Sequence, residues 1–277
     1  MKMRASSHWE RSDMEAKTTW KKKPRIKNAF LRYGLWVLVV AYLLIAGSEI
    51  NVDPARIAKG MSRMGKLFAG FFHPDFSSRG KYIVVGIFES LTMTVLSSLL
   101  STVLSIPLAL GASRNLVPKW VYLICRTLLM IIRSLHAVVM GIIFVIMFGY
   151  GPFAGVITLM LNSIGFIGKL LAEDIENIGS EQIEAIKATG ANWFQVVAYG
   201  VWPQVSTRFI GLSIYRADIS FRQSTVIGIV GAGGIGTVLN TAMNRYDYNT
   251  AGAILLVIII MVLIAEYISS SVRRRIV

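Results

Sequence analysis

The stretch EAIKATGANWFQVVAYGVWP, residues 184–203, is a polar, helix-forming segment between two strongly apolar regions. Ser180 is the expected N-cap of a first helix, and Glu181 and Glu184 supply the negative charge that a helix dipole favours in its first turn. Glycine adopts backbone angles that other residues avoid, so this helix should end at Gly190. Taken alone, the pattern also fits an ordinary amphipathic helix on a protein surface.

A second helix should follow the glycine, because Trp193, Val196 and Val197 are spaced along one helical face. Pro203 lacks the backbone N–H that a continuing helix needs, so it should end this second helix. The segment is therefore predicted to form two short helices joined by a glycine elbow. Such a compact knob fits a groove on a partner protein.

The rest of the chain is too apolar for an ordinary soluble domain, with a hydrophobic fraction of 54%. A helix that crosses a bilayer requires about 20 apolar residues, and about six segments satisfy this requirement. The segments lie at about 33–48, 83–112, 124–148, 153–171, after Pro203, and at 251–268. We therefore predict an all-α integral membrane protein with about six transmembrane helices.

Polar and helix-breaking residues interrupt several of these segments. Pro107 should break the second, and Arg126, Arg133 and His136 interrupt the third. The sequence GYGP at 149–152 should form a tight turn into the fourth. The fifth carries four charged side chains, which are Arg208, Arg216, Asp218 and Arg222.

The positive charge of the chain, +14 in total, is concentrated at its ends. Ten Lys and Arg residues lie within residues 1–32, and Arg273, Arg274 and Arg275 follow the last apolar segment. Anionic lipid headgroups account for such clusters, so a nucleic-acid partner is not expected. We predict a basic cytoplasmic tail at 1–28, a transmembrane domain at 29–277 and cytoplasmic termini. The loop 49–81, although basic, must then lie outside.

That loop should contain a surface helix, because Ile57, Met61, Met64 and Phe68 share one helical face. The single cysteine, Cys125, rules out an intrachain disulfide and a cysteine-based metal cluster. Three scattered histidines offer little material for a zinc site or a catalytic triad. The sequence also lacks the phosphate-binding GxxxxGK[ST] loop, so the chain itself is not an ATPase.

The segment RQSTVIGIVGAGGIG, residues 222–236, contains glycines at the spacing of a dinucleotide-binding turn. No second βα unit follows it, and no acidic residue stands about 20 positions on, because Asp247 is too near. The alternative is that the glycines allow close packing or a bend beside a membrane cavity. We favour this packing or gating role for Gly231, Gly233, Gly234 and Gly236.

Residues 184–203 resemble the cytoplasmic EAA loop of the inner-membrane permease subunits of ABC importers. That family pattern reads Glu-Ala-Ala, three residues, Gly, nine residues, and Ile-x-Leu-Pro. The positions in register are Glu184, Ala185, Gly190 and Pro203, while Ile186, Gly200 and Trp202 depart from the pattern. The resemblance implies a methionine-type permease fold, with a coupling loop at about 173–203.

Further stretches resemble the phosphonate branch of these permeases. Residues 222–226, RQSTV, differ from its Arg-Glu-Ser-Thr-Val by one residue, and residues 231–236 match its Gly-Ala-Gly-Gly-Ile-Gly. The other similar stretches are 74–76, 151–155, 168–170 and 246–248. Where the branch tends to have Ile-Pro-Glu after an arginine, this chain has Arg133-Ser134-Leu135-His136-Ala137. This departure suits a shifted substrate such as phosphite or hypophosphite.

An anionic substrate needs cationic or hydrogen-bonding groups along its path through the membrane. Asp218 and Arg222 are four residues apart, so they either neutralise each other or face a cavity. Arg133 and Arg216 have no partner nearby in sequence. The predicted substrate path is lined by Arg133, Arg216, Asp218, Arg222, Ser224 and Thr225.

Two other polar residues have no explanation in the local sequence. Glu89, in the second apolar segment, should find a partner elsewhere in the protein. His136 is either a pH-sensitive group or a histidine held by a packing hydrogen bond.

The resemblance implies the permease subunit of an ATP-driven importer in the bacterial inner membrane, carrying phosphonate, phosphite, hypophosphite or a phosphate ester. It implies no enzymatic activity and no cofactor bound by this chain, because a separate ATPase dimer uses ATP and Mg. That dimer would engage Glu184, Ala185, Gly190, Ala191 and Pro203. The other implied partners are a periplasmic or lipid-anchored substrate-binding protein, a second copy of the chain and membrane lipid. The alternatives are a permease of the methionine or osmoprotectant branch, and a membrane-embedded enzyme or assembly factor.

Overall fold

The computed structural model describes residues 29–49 and 54–276, and this part of the chain is almost entirely helical, with no strand. The predicted basic tail, 1–28, lies outside the described residues. The helices are α1 (Ala29–Glu49), α2 (Pro54–Phe72), α3 (Gly80–Gly111), α4 (Lys119–Ser134), α5 (Ala137–Phe148), α6 (Pro152–Glu176), α7 (Ser180–Ala188), α8 (Trp193–Gln195), α9 (Trp202–Ile229), α10 (Ile235–Asn244) and α11 (Tyr248–Ile276). A π-helical segment, Val196–Val201, joins α8 to α9.

The described chain divides into two compact units after Gly60. The first unit contains α1 and the start of α2, and the large apolar side chains of α1 are exposed. The second contains the rest of α2 and α3 to α11. The predicted helix in the loop 49–81 is confirmed as α2, and the apolar side chains of its predicted face are exposed: Ile57, Met61, Met64 and Phe68.

Three helices in the described residues, α3, α6 and α11, are long and apolar enough to cross a membrane. The pair α4 and α5 satisfies the same requirement jointly and is bent by 91° between Ser134 and Ala137. The predicted third span is therefore a broken helix. The apolar part of α1 is shorter, 33–48, and α9 carries the four predicted charges, so these two spans remain predictions.

Small residues allow α3 and α6 to pack closely. Ser97, Ser101 and Ser105 lie along one face of α3 and are fully buried. On α6, a Cβ added at Gly168 would lie 3.8 Å from the backbone carbonyl oxygen of Ser105 on α3. In membranes, such small residues let helix backbones approach each other, and dispersion contacts then hold the helices together.

The predicted break at Pro107 is wrong, because α3 continues through this residue to Gly111. Proline removes one backbone hydrogen bond and crowds the preceding turn. A membrane helix tolerates this change where neighbouring helices and hydroxyl side chains surround the freed backbone groups.

Hydrogen bonds between loops define two opposite ends of the second unit. At one end, the Asn115 side chain donates to the Ile175 carbonyl at 2.8 Å, just before α7 begins. We call this the elbow end. At the other end, the Gly151 amide donates to the Gly231 carbonyl at 3.2 Å. We call this the turn end. The turn at 149–152 is confirmed, with φ of 87° at Gly149 and 146° at Gly151.

Candidate functional site

The first helix of the predicted elbow is α7, Ser180–Ala188. It ends as expected before Gly190, whose φ of 82° favours glycine. Ser180 is not its N-cap: Gly179 occupies that position, no side chain caps it, and Ser180 is the first helical residue. Glu184 and Ala185 are exposed, whereas Ile183 is buried in the core beneath them.

The second predicted short helix is not separate from the next long helix, α9. It begins with a capping box, in which the Asn192 side chain accepts from the Gln195 amide at 3.0 Å and the Gln195 side chain accepts from the Asn192 amide at 2.8 Å. The chain then stays helical through the π-helical segment into α9. Pro203 therefore does not end a helix: it lies in the first turn of α9, directly after the π-helical segment, and the first turn is where a helix tolerates proline.

The elbow is fixed to the connection between α3 and α4. The Trp193 indole N–H donates to the Leu116 carbonyl at 3.0 Å. The backbone amide of Arg114 donates to the Glu176 carboxylate at 3.0 Å. The apolar side chains of α7 and the π-helical segment join the core of α6 and α9. The elbow is thus held against the core of α6 and α9, and the side of α7 that faces away from this core is exposed.

A groove of about 480 Å³ lies beside the exposed side of the elbow. Two of the five predicted coupling residues, Gly190 and Ala191, line this groove. The other lining residues are Ile186, Thr189, Gln195 and Tyr199. The neighbouring aromatic side chains Phe194 and Tyr199 are 76% and 73% exposed. Exposed aromatic side chains of this size are typical of protein-binding surfaces.

Arg216 is buried in the middle of α9, with a relative exposure of 5%. Its Nε donates to the Ser163 hydroxyl at 2.9 Å, and its Nη2 donates to the side-chain oxygens of Asn162 and Gln223. The same guanidinium lies 5.2 Å from the centre of the Phe166 ring. All these partners are neutral, so no carboxylate of the described residues cancels the charge of Arg216.

Arg133, at the end of α4, approaches the same ring, with its guanidinium carbon 5.9 Å from the Phe166 centre. The structure therefore brings together two predicted path residues, Arg133 and Arg216, around one aromatic side chain. Arg133 also lines a cleft of about 350 Å³ with Lys169 and Arg126. His136, beside the helix break, is exposed and is the N-cap of α5, where its side chain accepts from the Val138 amide at 3.4 Å.

The predicted Asp218–Arg222 pair is present, with 2.6 Å between Nη2 and Oδ2. Arg222 also lies 3.5 Å from the carboxylate of Glu266 on α11. One guanidinium thus faces two carboxylates. Of the other predicted path residues, Ser224 is buried and donates to a carbonyl of its own helix, and Thr225 is partly buried. The charge of Arg222 is thus paired with carboxylates, whereas the hydrogen-bond partners of Arg216 are neutral.

The glycine segment forms a packed turn before α10. The Gly234 amide donates to the Glu89 carboxylate at 2.9 Å, and the Ile235 amide donates to the Ser90 hydroxyl at 2.9 Å. The expected partner of Glu89 is therefore the backbone amide of Gly234. Through this contact a carboxylate of α3 caps the start of α10, where the helix dipole favours an anion. No local signal in the sequence identifies this contact.

Close approach explains why glycine occupies the other positions of this turn. A Cβ at Gly233 would lie 2.7 Å from the Pro152 nitrogen, and one at Gly236 would collide with the Thr225 carbonyl. A Cβ at Gly231 would collide with the Tyr150 ring. The segment lies between two helices, so the dinucleotide-binding interpretation is not supported and the packing interpretation is.

Comparison with known proteins agrees with this arrangement. Residues 83–277 match the family described as binding-protein-dependent transport system inner membrane component. The chain is 37% identical over 243 residues to the phosphite transport system permease protein PtxC of Stutzerimonas stutzeri, covering 87% of this chain and 88% of that protein. It is 29% identical to the phosphate-import permease protein PhnE of Mycolicibacterium smegmatis, over 91% of this chain and 48% of that longer protein. An inward-facing structure of the MetNI methionine ABC transporter shares the fold, with a TM-score of 0.63, 21% identity, and coverage of 73% of this chain and 99% of that one.

Proposed function

The chain belongs to the family of binding-protein-dependent transport system inner membrane components, and from this membership we infer that it is the permease subunit of an importer for phosphorus oxyanions. It is a transport subunit and not an enzyme. The assignment of phosphorus oxyanions as the substrate class rests on the similarity to a phosphite permease over most of the chain. The methionine or osmoprotectant branch and a membrane enzyme are correspondingly less well supported.

The elbow is proposed as the docking site of a cytoplasmic ATPase dimer, which binds and hydrolyses ATP with Mg. Glu184 and Ala185 are exposed on α7, and Gly190 and Ala191 line the groove beside them. Pro203 starts the membrane helix that would receive the force. Because a capping box and an indole hydrogen bond stiffen the elbow, a push on α7 would reach α9 rather than being absorbed locally.

The substrate path is proposed to run past Arg133 and Arg216. A buried guanidinium with only neutral partners is costly in a membrane unless an anion visits it. Nη1 of Arg216 makes no hydrogen bond with the described residues, so it is free to donate to a ligand. Asp218, Arg222, Ser224 and Thr225 would line the same path further along α9, with Arg222 held in place by its carboxylates.

The assembled importer is proposed to contain two copies of this chain, the ATPase dimer and an external substrate-binding protein, in the bacterial inner membrane. Both termini would be cytoplasmic, which puts the elbow end inside and the turn end outside. In this arrangement α1 supplies the first span and α9 the fifth, in addition to the four formed by α3, the α4–α5 pair, α6 and α11. The basic tail 1–28 and the Arg273–Arg275 cluster would contact anionic lipid headgroups.

The proposal is tested by affinity purification of the chain co-expressed with a candidate ABC ATPase from the same organism. We expect the two to co-purify, and the complex with its binding protein to hydrolyse ATP faster when phosphite is added. A chain that purifies without any ATPase, under conditions that preserve membrane complexes, would contradict the transport role. A matched charge reversal in the elbow, described in the Discussion, locates the contact.

A further inference from the structure

A polar cavity of about 430 Å³ lies at the turn end, between the start of α3 and α10. α3 is 32 residues long, so about 48 Å of helix separates this cavity from the elbow end. The side chains that matter are Arg79, Arg245, Tyr82, Ser78, Thr237 and Thr241, and the one aliphatic neighbour is Val238. We call it the outer cavity.

Two guanidinium groups line the outer cavity, and one of them lies near a carboxylate. Arg79 lies 3.9 Å from Asp247, and both side chains are largely buried, at 22% and 34% exposure. Arg245 makes neither a hydrogen bond nor an ion pair through its side chain with any described residue. One positive charge is therefore left without a partner in a cavity lined mainly by polar groups.

The charged side chains are held on fixed backbone. Asp75 accepts hydrogen bonds from the hydroxyls and amides of Ser78 and Ser77, which hold the pKa of that carboxyl well below its usual range and fix the approach to α3. At the end of α10, the Arg245 amide donates to the Thr241 carbonyl at 3.2 Å. The cavity therefore needs little rearrangement to receive a ligand.

Hydroxyl groups supplement the two arginines. The Thr237 and Thr241 hydroxyls donate to carbonyls of the helix turn before them, at 2.7 and 2.8 Å. Such hydroxyls rotate at low cost, so they can donate to a ligand instead. Guanidinium and hydroxyl donors around one space are the groups that bind tetrahedral oxyanions.

We propose that the outer cavity is an anion-binding site that receives the phosphorus oxyanion before it enters the membrane, with Arg79 and Arg245 as its charged ligands and Tyr82 as a hydroxyl donor. The identity of the anion and the outward position of the cavity rest on the proposed function. The cavity is distinct from the arginines around Phe166, which lie on α4 and α9.

Cysteine labelling tests this site directly, because Cys125 is the single cysteine of the chain. We would replace it by alanine, introduce Val238→Cys at the aliphatic position of the cavity lining, and assemble the complete importer in phosphatidylcholine nanodiscs. The measurement is the reaction rate with two methanethiosulfonate reagents, one bearing a sulfonate and one a trimethylammonium group. Cys125→Ala is kept as the parent, and its uptake of phosphite is checked first.

We expect the introduced thiol to react faster with the anionic reagent than with the cationic one, and phosphite to slow the reaction. Adding Arg245→Gln should lower the anionic rate and raise the cationic rate by about fivefold each, the effect of one unit charge about 4 Å away in water, so the anionic-to-cationic rate ratio should fall roughly 30-fold. The same change should remove protection by phosphite. Arg245 is exposed, so this variant should fold normally. A Thr189→Cys thiol in the elbow groove is the control and should gain no protection.

Three results would overturn the site. The first is no protection by phosphite in an importer that still takes phosphite up, which leaves the proposed function standing. The second is protection of the introduced thiol by the substrate-binding protein alone, without any anion, which would show that the cavity is a contact surface for that protein. The third is protection that appears only when phosphatidylglycerol replaces phosphatidylcholine, which assigns the cavity to a lipid headgroup.

Discussion

Arg133 and Arg216 approach the same aromatic ring from different helices, with their guanidinium carbons 5.9 and 5.2 Å from the centre of Phe166. Cation–π contacts stabilise a desolvated guanidinium without neutralising it. Arg216 is buried and Arg133 is exposed, so it is the Arg216 guanidinium that keeps its positive charge inside a largely apolar bundle. This is the electrostatic requirement for passing an anion through a membrane.

Arg216→Gln should lower phosphite uptake about tenfold or more, because it removes a charge-assisted hydrogen bond worth about 1.5 kcal/mol or more. The double variant with Arg222→Gln should abolish uptake. Arg216→Lys keeps the charge and should retain part of the activity. Uptake is measured in proteoliposomes, and co-purification with the ATPase shows whether each variant assembles. Normal uptake by the double variant would remove these arginines from the path.

Glu184→Lys should weaken the association with the ATPase, because the side chain is exposed on the proposed docking face and makes no hydrogen bond or ion pair with the described residues. Glu181→Lys is the matched control: it makes the same change one turn earlier, outside the register of the coupling motif. Pull-down of the ATPase at equal permease concentration gives the comparison. Equal losses in both variants would mean that general charge, and not the elbow position, governs the contact.

Glu89→Ala should destabilise the permease by about 1–2 kcal/mol, because the Gly234 amide loses its acceptor and α10 loses its capping charge. Glu89→Gln keeps an acceptor and should lose about half as much. Thermal unfolding in detergent measures both. A Glu89→Ala protein as stable as the parent, with uptake lost, would assign Glu89 to transport instead of structure.

Gly236→Ala should cost about 1–3 kcal/mol of stability, because its new methyl group collides with the backbone carbonyl of Thr225. Gly65→Ala in α2 is the control, since a Cβ there meets nothing within 4 Å and alanine favours the helix. Unfolding temperatures of the two variants give the test. Similar values for both would show that the glycine turn is not closely packed.

Local sequence patterns predicted the features that depend on neighbouring residues. The break at Gly190, the turn at 149–152 and the Asp218–Arg222 pair each follow from the chemistry of residues within four positions. The same reasoning located α2 from the spacing of its apolar side chains. These features could be predicted because backbone angles and helical periodicity are local properties.

Features that depend on distant residues were not predictable. Glu89 and Gly234 are separated by 145 positions, and Arg216 meets Ser163 across 53. Pro203 was expected to end a helix and instead lies in the first turn of α9, directly after the π-helical segment, where a helix tolerates proline. The strong bend after Ser134 likewise depends on how α4 and α5 pack against α6. The spacing of apolar residues along the sequence does not predict this packing.

The most direct test of the account measures uptake of phosphite by proteoliposomes that contain this chain, its ATPase and its binding protein. We predict ATP-dependent accumulation of phosphite or a related phosphorus oxyanion, and stimulation of ATP hydrolysis by the same anion but not by methionine. Failure of every phosphorus oxyanion to stimulate hydrolysis, in a complex that is otherwise an active ATPase, would contradict the substrate assignment. Family membership would be unaffected by that result.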